Sequence, residues 1–377
     1  MSDRKPYLQK VRRLVVKVGS AVLTKDGGLK GDLVESLARQ VAKARARGID
    51  VAVVSSGAIA AGRGKLGLKE KPRTIPMKQA AAAAGQSVLM HHYEKAFQGA
   101  NTRTAQILLT QDDLSDRQRF LNARNTLLTL FELEAVPVIN ENDTVAVEEI
   151  KFGDNDRLSA LVTNLVEANL LLILTDTDGF YDADPRTQKG ARRYEFIEHV
   201  TDAHLHQAGT TRTDVGLGGM TSKLQAARQA TEQGAAVVIA AGGEDRVIER
   251  VLDGENLGTF FAPRGGISGR KHWIAYTIPP AGALILDAGA CEAVVQKKKS
   301  LLPSGIREVQ GEFGAGEAVR CLSPEGREVA RGLVSYSSED IRKIAGRKTA
   351  DIEGVLGYKY YDEIIHRDNL VVLEDQA

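Results

Sequence analysis

The feature that most constrains the fold is an alternation of short apolar runs with longer helical patterns over roughly the first 260 residues. The runs include LVVKVG, DVAVVSSG, TAQILLT, VPVIN, NLLLILTDTDG and AAVVIAAGG. Several of them are apolar at consecutive positions, as strands that are covered on both faces should be. The alternation therefore predicts an α/β fold, in which an open and mainly parallel sheet is sandwiched by helices.

The character of the chain changes after Pro263. Glycine- and proline-rich segments, RGGISGRKHW and IPPAG, come before shorter alternating pieces: ALILD, EAVVQ, GEAVRCL, EVARGLVSY and NLVVLE. Short strands separated by turn residues predict a small β-rich domain. We therefore predict a first domain over residues 1–265, a linker over 266–280 and a second domain over 281–377.

Composition excludes several classes of protein. The 50 basic residues are balanced by 49 acidic ones, so the overall charge points to neither nucleic acid nor a membrane surface. The two cysteines, Cys291 and Cys321, form no disulfide framework and no CxxC pattern. No stretch approaches the ~20 apolar residues of a spanning helix, and the amino terminus does not resemble a signal peptide. We expect a cytoplasmic protein that does not associate with membranes.

In open α/β sheets, ligands bind beyond the carboxyl ends of the strands. Polar or glycine residues follow five of the predicted strands in this sequence. They are Gly19 and Ser20, Ser55 to Gly57, Asn140 to Asp143, Thr175 and Asp176, and Gly242 and Gly243. Because these strand ends should meet at one edge of the sheet, we expect the functional site there.

The segment VPVINENDTVAVEEIKFGDND carries two clusters of amides and carboxylates. A protein-built metal site, a solvated acidic loop and the recognition of a small substrate are all compatible with such residues. The clusters lack the EF-hand pattern and any histidine partner, which disfavours the metal. For a substrate that carries an ammonium group, Asp143 would pair with the cation, while Asn140 and Asn155 would supply directional hydrogen bonds.

The stretch VGLGGMTSKLQAARQA predicts a phosphate site. Its glycines allow close approach of the backbone, Thr221 or Ser222 can cap a helix, and Lys223 follows in the first turn. Lys17, which interrupts LVVKVG, supplies a second cation. The alternatives are a flexible surface loop for the glycines and a snorkelling edge residue for Lys17.

Two other nucleotide signatures do not apply. A literal GxGxxG pattern spans Gly62 to Gly67, but it follows a predicted helical turn and lacks the strand and acidic residue of a dinucleotide site. The GxxxxGK[ST] pattern of a P-loop does not occur in the chain.

Six motifs in this order resemble the amino acid kinase family. They are VVKVGSAVLT, VSSGAIAAGR, VPVINENDTV, FGDNDRLSALV, LLILTDTDGFYDADPR and GLGGMTSKLQAA. The resemblance is strongest to members that use ATP, with Mg²⁺ held mainly by its phosphates, to phosphorylate the side-chain carboxylate of L-glutamate. That reaction is the first step toward proline. The resemblance covers roughly residues 11–262, and the remainder resembles the PUA domain that many such bacterial enzymes carry.

The resemblance implies roles for residues at matching positions. Lys17 and Lys223 would stabilise the transferring phosphoryl group, and Asp156 would hold both lysines in place. Ser56, Asp143 and Asn155 would bind glutamate, with Asn140 nearby. The implied nucleotide-binding residues are Lys17, Thr175, Asp176, Leu217, Gly218, Gly219, Met220, Thr221, Ser222 and Lys223. Leu217 stands where the family commonly has threonine, so a contact from that hydroxyl is lost.

The resemblance also implies a homo-oligomer, either a dimer or a tetramer, and feedback inhibition by proline. Two competing functions stay open at this point. One is RNA binding by the second domain, although that region contains more acidic than basic residues. The other is a related kinase that acts on N-acetylglutamate, aspartate, carbamate or UMP. The paired amide and carboxylate clusters favour an acceptor with a free amino group.

Overall fold

The structure of the protein is a computed structural model that describes residues 3–25, 28–145, 155–185, 187–209, 219–264 and 280–373. The chain divides into two compact units, Met1–Gly265 and Gly266–Ala377. The first unit is built around a sheet of eight strands, and the second around a sheet of five.

The strands of the first sheet largely coincide with the predicted apolar runs. They are β1 (Arg13–Val18), β4 (Asp50–Ser55), β5 (Arg103–Leu109), β6 (Ala135–Glu141), β7 (Leu170–Thr175), β8 (Phe196–Ile197), β9 (Ala236–Ala241) and β10 (Thr259–Phe261). A separate two-stranded hairpin joins β2 (Thr24–Lys25) to β3 (Gly28–Leu29). The strands β8 and β10 were not predicted, since each is only two or three residues long.

The eight strands lie in the order β5-β6-β4-β1-β7-β9-β10-β8. Every neighbouring pair is parallel except β9 and β10. The central position of β1 places its carboxyl end between those of β4 and β7. The predicted α/β fold with a mainly parallel sheet is confirmed.

Helices cover both faces of the sheet. The helices that flank or connect these strands are α1 (Lys5–Leu8), α2 (Ser20–Leu23), α3 (Gly31–Ala46), α4 (Ala58–Lys65), α5 (Ile75–Gly99), α6 (Gln111–Ser115), α7 (Arg117–Glu132), α8 (Asn155–Leu165), α9 (Asp202–Gly209), α10 (Met220–Glu232) and α11 (Val247–Leu252). Two apolar cores result, one on each face.

The side chains of β1 alternate between these two cores, as the two-residue period of a strand requires. Leu14, Val16 and Val18 pack into the core that also contains residues of α3 and α5. Val15 packs into the opposite core, which contains residues of α8 and α10. Because Lys17 lies two residues from Val15, the strand period directs it toward the face of α8 and α10.

The helices α4 and α5 cross at unusually close range. A Cβ atom added at Gly62 would lie 1.7 Å from the carbonyl oxygen of Ala81, and one added at Gly85 would lie 1.8 Å from that of Ala58. Both clashes are with backbone, which cannot move aside cheaply. The first glycine of the literal GxGxxG pattern is therefore needed for helix packing.

The second unit forms a smaller sheet in the order β12-β11-β13-β14-β15. Its strands are β11 (Gly282–Leu286), β12 (Ile306–Gln310), β13 (Ala318–Leu322), β14 (Glu328–Leu333) and β15 (Leu370–Val372). The helices α12 (Ala288–Val295), α13 (Ser338–Ile344) and α14 (Ile352–Leu356) accompany this sheet, with 3₁₀ turns at Pro303–Gly305, Thr349–Asp351 and Arg367–Asn369. The predicted small β-rich domain is confirmed as a fold.

One predicted strand of this domain is wrong. The segment EAVVQ begins inside α12, because Asp287 caps that helix by accepting a hydrogen bond from the backbone N–H of Ala290 at 2.7 Å. An aspartate at the N-cap satisfies one of the N–H groups that a helix start leaves unpaired. The short apolar run does not by itself distinguish a strand from a buried helix segment.

We expect Gly85→Ala to destabilise the protein by about 1–3 kcal/mol, the usual cost of forcing extra volume into a well-packed contact. The measurement is the urea midpoint and free energy of unfolding of the full chain. The matched control is Gly99→Ala in the same helix, where a Cβ atom would meet nothing within 4 Å. Equal stability of the two variants would contradict the close crossing.

Candidate active site

A cluster of three buried charged side chains lies at the carboxyl edge of the first sheet. Asp156 is fully buried in the first turn of α8, and its carboxylate pairs with both Lys17 and Lys223. Its Oδ1 faces Nζ of Lys17, and its Oδ2 lies 3.2 Å from Nζ of Lys223. Both lysines are almost fully buried, with exposed fractions of 5% and 6%.

The fold explains why these three side chains meet. Lys17 is directed to the face of α8 and α10 by the strand period. Asp156 is the second residue of α8, and Lys223 is the fourth residue of α10. Both helices therefore bring their first turns, with the positive ends of their dipoles, to the same place. The site can thus hold an anion.

Electrostatics keep Asp156 ionised. Burial alone would raise the pKa of this carboxyl group, but the charges of Lys17 and Lys223 outweigh burial and hold the pKa well below its usual range. A hydrogen bond from the hydroxyl of Ser222 to Oδ2, at 2.9 Å, acts in the same direction. Two ammonium groups and one carboxylate leave the cluster with one net positive charge.

The start of α10 differs from the prediction in one respect. The N-cap is Gly219, and neither Thr221 nor Ser222 caps the helix. Ser222 is the third residue of α10, and its hydroxyl approaches the carbonyl oxygen of Gly219 at 2.9 Å as well as Asp156. A cap requires an accepting oxygen at the residue before the first turn, and glycine occupies that position.

A second, uncharged cluster adjoins the lysines. Nδ2 of Asn155 donates to the carbonyl oxygen of Ser55 at 2.6 Å, to Oγ of Ser56 at 3.1 Å and to Oδ1 of Asn140 at 3.0 Å. These contacts join the ends of β4 and β6 to the start of α8. Because Asn155 and Asp156 are adjacent, the two clusters are parts of one site.

The backbone at the end of β4 also depends on glycine. Gly57 adopts φ +103°, a conformation that side chains rarely allow, and it serves as the N-cap of α4. The turn brings Ser56 beside Asn155 and lets α4 begin at the site. Ser56 is half-buried, so its hydroxyl group can reach a ligand.

Other predicted residues lie at the edge of the same sheet. Thr175 ends β7, and its hydroxyl donates to Asp176, which is exposed, at 3.0 Å. Asp143 is half-buried in the turn after β6. Met220 and Thr221 lie in the first turn of α10.

Two predicted residues, Leu217 and Gly218, lie outside the described residues. No group of three or more His, Cys, Asp or Glu side chains within the described ranges could hold a metal ion. None of the helices that the structure describes is long and apolar enough to cross a membrane.

Sequence reasoning missed Gln86 of α5. Its Oε1 accepts a hydrogen bond from Nδ2 of Asn140 at 2.8 Å. The residue lies in an alanine-rich helix, and no local pattern distinguishes it from a surface glutamine. The residue before it, Gly85, lies at the close crossing of α5 with α4.

Comparison with known proteins identifies the family. The amino acid kinase family matches residues 12–241, and the PUA domain matches residues 282–356. The chain belongs to the amino acid kinase family. A relative from Citrifermentans bemidjiense, named glutamate 5-kinase, is 55% identical over 372 residues, which are 98% of this chain and 100% of that one.

The chain is also similar to two other proteins. A protein from Caldanaerobacter subterraneus subsp. tengcongensis, also named glutamate 5-kinase, is 53% identical and covers 96% of this chain and 98% of its own. A solved structure of carbamate kinase from Giardia lamblia, bound to AMP-PNP, has a TM-score of 0.49 and 14% identity, covering 67% of this chain and 99% of that chain. The resemblance inferred from the six motifs, an amino acid kinase domain followed by a PUA domain, is confirmed by the family matches.

We expect Asp156→Asn to lower the free energy of unfolding by about 3–5 kcal/mol, because the variant leaves two buried ammonium groups without their shared counter-charge. The pKa of Asp156 is depressed in the folded state. The stability from its ionisation is therefore present above the unfolded pKa of about 3.9 and is lost as the pH falls through the folded value. The contribution of this ionisation to the stability of the parent should thus be constant from about pH 5 to pH 8.

The free energies are measured by urea denaturation at several pH values. The control is Asp253→Asn, which breaks a half-exposed pair with Arg47 at 2.7 Å and should cost less than ~1 kcal/mol. A loss no greater than that of the control would show that the lysines do not depend on Asp156.

Proposed function

We propose that the chain catalyses the ATP-dependent phosphorylation of the side-chain carboxylate of L-glutamate, giving L-glutamyl 5-phosphate. This reaction is the first step of proline biosynthesis. The observation that carries the proposal is the pair of buried lysines on Asp156, directly beside the amide cluster of Asn155. The lysine pair suits a transferring phosphoryl group, and the amide cluster suits a small polar acceptor. The relatives named glutamate 5-kinase support the same acceptor.

The attacking group needs no catalytic base. A glutamate side chain has a pKa of about 4.3 and is already ionised at neutral pH. In the proposed reaction, a carboxylate oxygen forms a bond to the γ-phosphorus of ATP, and the bond from that phosphorus to the β–γ bridging oxygen breaks. ADP leaves with the electron pair of that bond. The protein must therefore align two anions and stabilise charge on the transferring group.

Lys17 and Lys223 are proposed to supply that stabilisation. Their ammonium groups are fixed before the substrates arrive, because both pair with a fully buried carboxylate. Donors that are already oriented cost no reorganisation during the reaction. Asp156 is proposed as the group that positions both lysines, and the single net positive charge of the cluster remains for the phosphoryl oxygens.

The amide cluster is proposed to bind glutamate. The two hydrogens of Asn155 Nδ2 are shared among its three acceptors, so its Oδ1 is the atom that can accept a hydrogen bond from a ligand. The hydroxyl of Ser56 accepts from Asn155 and keeps its hydrogen for a carboxylate. Asp143 is proposed to pair with the substrate ammonium, with Asn140 completing the pocket.

The nucleotide is proposed to bind along the neighbouring strand ends. Thr175 ends β7 and Asp176 follows it, while Met220 to Lys223 form the first turn of α10, preceded in the sequence by Leu217 to Gly219. Gly219 at the N-cap leaves room for the backbone to approach phosphates, whose charge the helix dipole favours. Mg²⁺ is expected to arrive on the phosphates of ATP, where it would neutralise part of their charge.

Further features of the proposal rest on resemblance to the family. We propose a cytoplasmic homo-oligomer, either a dimer or a tetramer, that is inhibited by proline. We do not propose RNA as a ligand of the PUA domain, because acidic residues outnumber basic ones from residue 281 onward.

The proposed acceptor predicts a clear order of activities. With ATP and Mg²⁺, we expect ADP release to depend on L-glutamate and to stay at background with N-acetyl-L-glutamate, L-aspartate, carbamate or UMP. Trapping the acyl phosphate with hydroxylamine identifies the product. Faster ADP release with any of the other four acceptors would show that this acceptor, rather than glutamate, is the substrate.

Two variants should separate chemistry from binding. Lys223→Ala should lower kcat at least about a hundredfold, as the loss of a transition-state donor does, with little change in the KM for glutamate. Asp143→Asn should raise that KM about tenfold or more, because hydrogen bonds to charged groups contribute roughly 1.5–3 kcal/mol. Steady-state kinetics in both substrates measure the two effects.

The controls replace exposed residues of the same types, Lys95→Ala in α5 and Asp112→Asn in α6. Both should leave kcat and KM unchanged. Normal turnover of Lys223→Ala would remove this lysine from the chemistry, and an unchanged KM in Asp143→Asn would remove that carboxylate from the amino-acid site.

A further inference from the structure

A chain of three amides runs outward from the proposed catalytic centre. Nδ2 of Asn155 donates to Oδ1 of Asn140 at 3.0 Å, and Nδ2 of Asn140 donates to Oε1 of Gln86 at 2.8 Å. The backbone N–H of Glu141 also donates to Oδ1 of Asn140, at 2.9 Å. Asn140 and Gln86 therefore each receive a hydrogen bond on their oxygen from the amide before them.

The donor-to-acceptor direction of these hydrogen bonds cannot be reversed by flipping a single amide. A flipped Asn140 would turn its NH₂ group toward two donors, the backbone N–H of Glu141 and Nδ2 of Asn155. A flipped Gln86 would likewise turn its NH₂ group toward that of Asn140. The chain consequently ends in a fixed pair of donors, the two hydrogens of Gln86 Nε2.

These last donors have no acceptor among the residues that the structure describes. Nε2 of Gln86 is buried from solvent and makes no hydrogen bond with any described residue. A buried donor that is left unpaired costs free energy, so such groups in folded proteins call for an explanation. A carboxylate of a bound ligand would satisfy both hydrogens, since each carboxylate oxygen accepts hydrogen bonds.

The position of Gln86 is fixed by backbone packing. Gly85 approaches α4 so closely that a Cβ atom added to it would also lie 2.3 Å from the backbone nitrogen of Gly62. The next residue is Gln86, whose side chain meets Asn140 near the end of β6. The helix crossing fixes the backbone beside Gln86, and the hydrogen bond from Asn140 orients its amide.

We propose that Gln86 is a further residue of the amino-acid site, where Nε2 donates to the α-carboxylate of the substrate. This inference rests on the proposed phosphorylation of glutamate. The reacting carboxylate must face Lys17 on β1, whereas Gln86 contacts Asn140 on β6, two strands and roughly 10 Å away across β4. The far end of an extended glutamate is its α-carbon, with the ammonium and α-carboxylate groups.

The test compares glutamate with 4-aminobutyrate, which keeps the amine and the reacting carboxylate but lacks the α-carboxylate. Gln86→Met removes both donors without adding charge. We expect the KM for glutamate to rise at least about tenfold, the scale of a lost hydrogen bond to a charged group, while kcat and the KM for ATP change less than about threefold. The kcat/KM for 4-aminobutyrate should not fall.

A second variant separates the two atoms of the amide. Gln86→Glu keeps an oxygen that can accept from Asn140 but has no NH₂ group, so we expect it to lose affinity for glutamate at least as strongly as Gln86→Met. Parental affinity in Gln86→Glu would show that Gln86 acts only through Asn140, and this would overturn the proposal. An equal loss for glutamate and 4-aminobutyrate in Gln86→Met would overturn it as well.

The matched control is Gln98→Met, at an exposed position of the same helix, which should retain all parental kinetic constants. Failure of this inference is distinct from failure of the proposed function. A parent protein that does not phosphorylate glutamate would refute the function, and the inference with it. A parent that phosphorylates glutamate, with an unchanged KM in Gln86→Met, would refute only the role of Gln86.

Discussion

The candidate active site depends on the pairing of the ionised carboxylate of Asp156 with Lys17 and Lys223. Two ammonium groups so deeply buried lose their hydration and would repel each other without a nearby anion. A single carboxylate solves both problems, and its own burial is balanced by the same two cations. The three groups are therefore stable only together. Strand β1 and the helices α8 and α10, far apart in sequence, each contribute one member.

The adjacency of Asn155 and Asp156 joins the amide cluster to the lysine cluster. One residue ties together the ends of β4 and β6, and the next one holds the lysines. Since both belong to the first turn of α8, a displacement of that turn would disturb the two halves of the site at once. Asn140 and Asn155, which belong to different amide and carboxylate clusters in the sequence, meet through a hydrogen bond in the folded chain.

Much of this organisation could be predicted from sequence because buried parallel strands produce consecutive apolar runs. The strands that build the site, and the residues that end them, follow from that pattern. EAVVQ was misread as a strand because a short apolar run is ambiguous, and the cap at Asp287 decided in favour of a helix. The role of Ser222 was also misread, since a hydroxyl near a helix start usually accepts from the backbone, whereas this one donates to Asp156. Gln86 could not be found, because its place depends on the distance between two helices.

Because the side chains of β1 alternate between two cores, Lys17 helps to specify the register of this strand. A slip of one residue in this strand would move Val15 and Lys17 to the opposite core and bring Val16 to the side of Asp156. The ammonium group would then enter an apolar environment, and the carboxylate would lose one of its cations. Each change deprives a buried charge of a pairing partner, and each therefore raises the free energy of the misregistered chain. The charge of Lys17, for which we propose a role toward phosphate, therefore also disfavours a shifted register of β1.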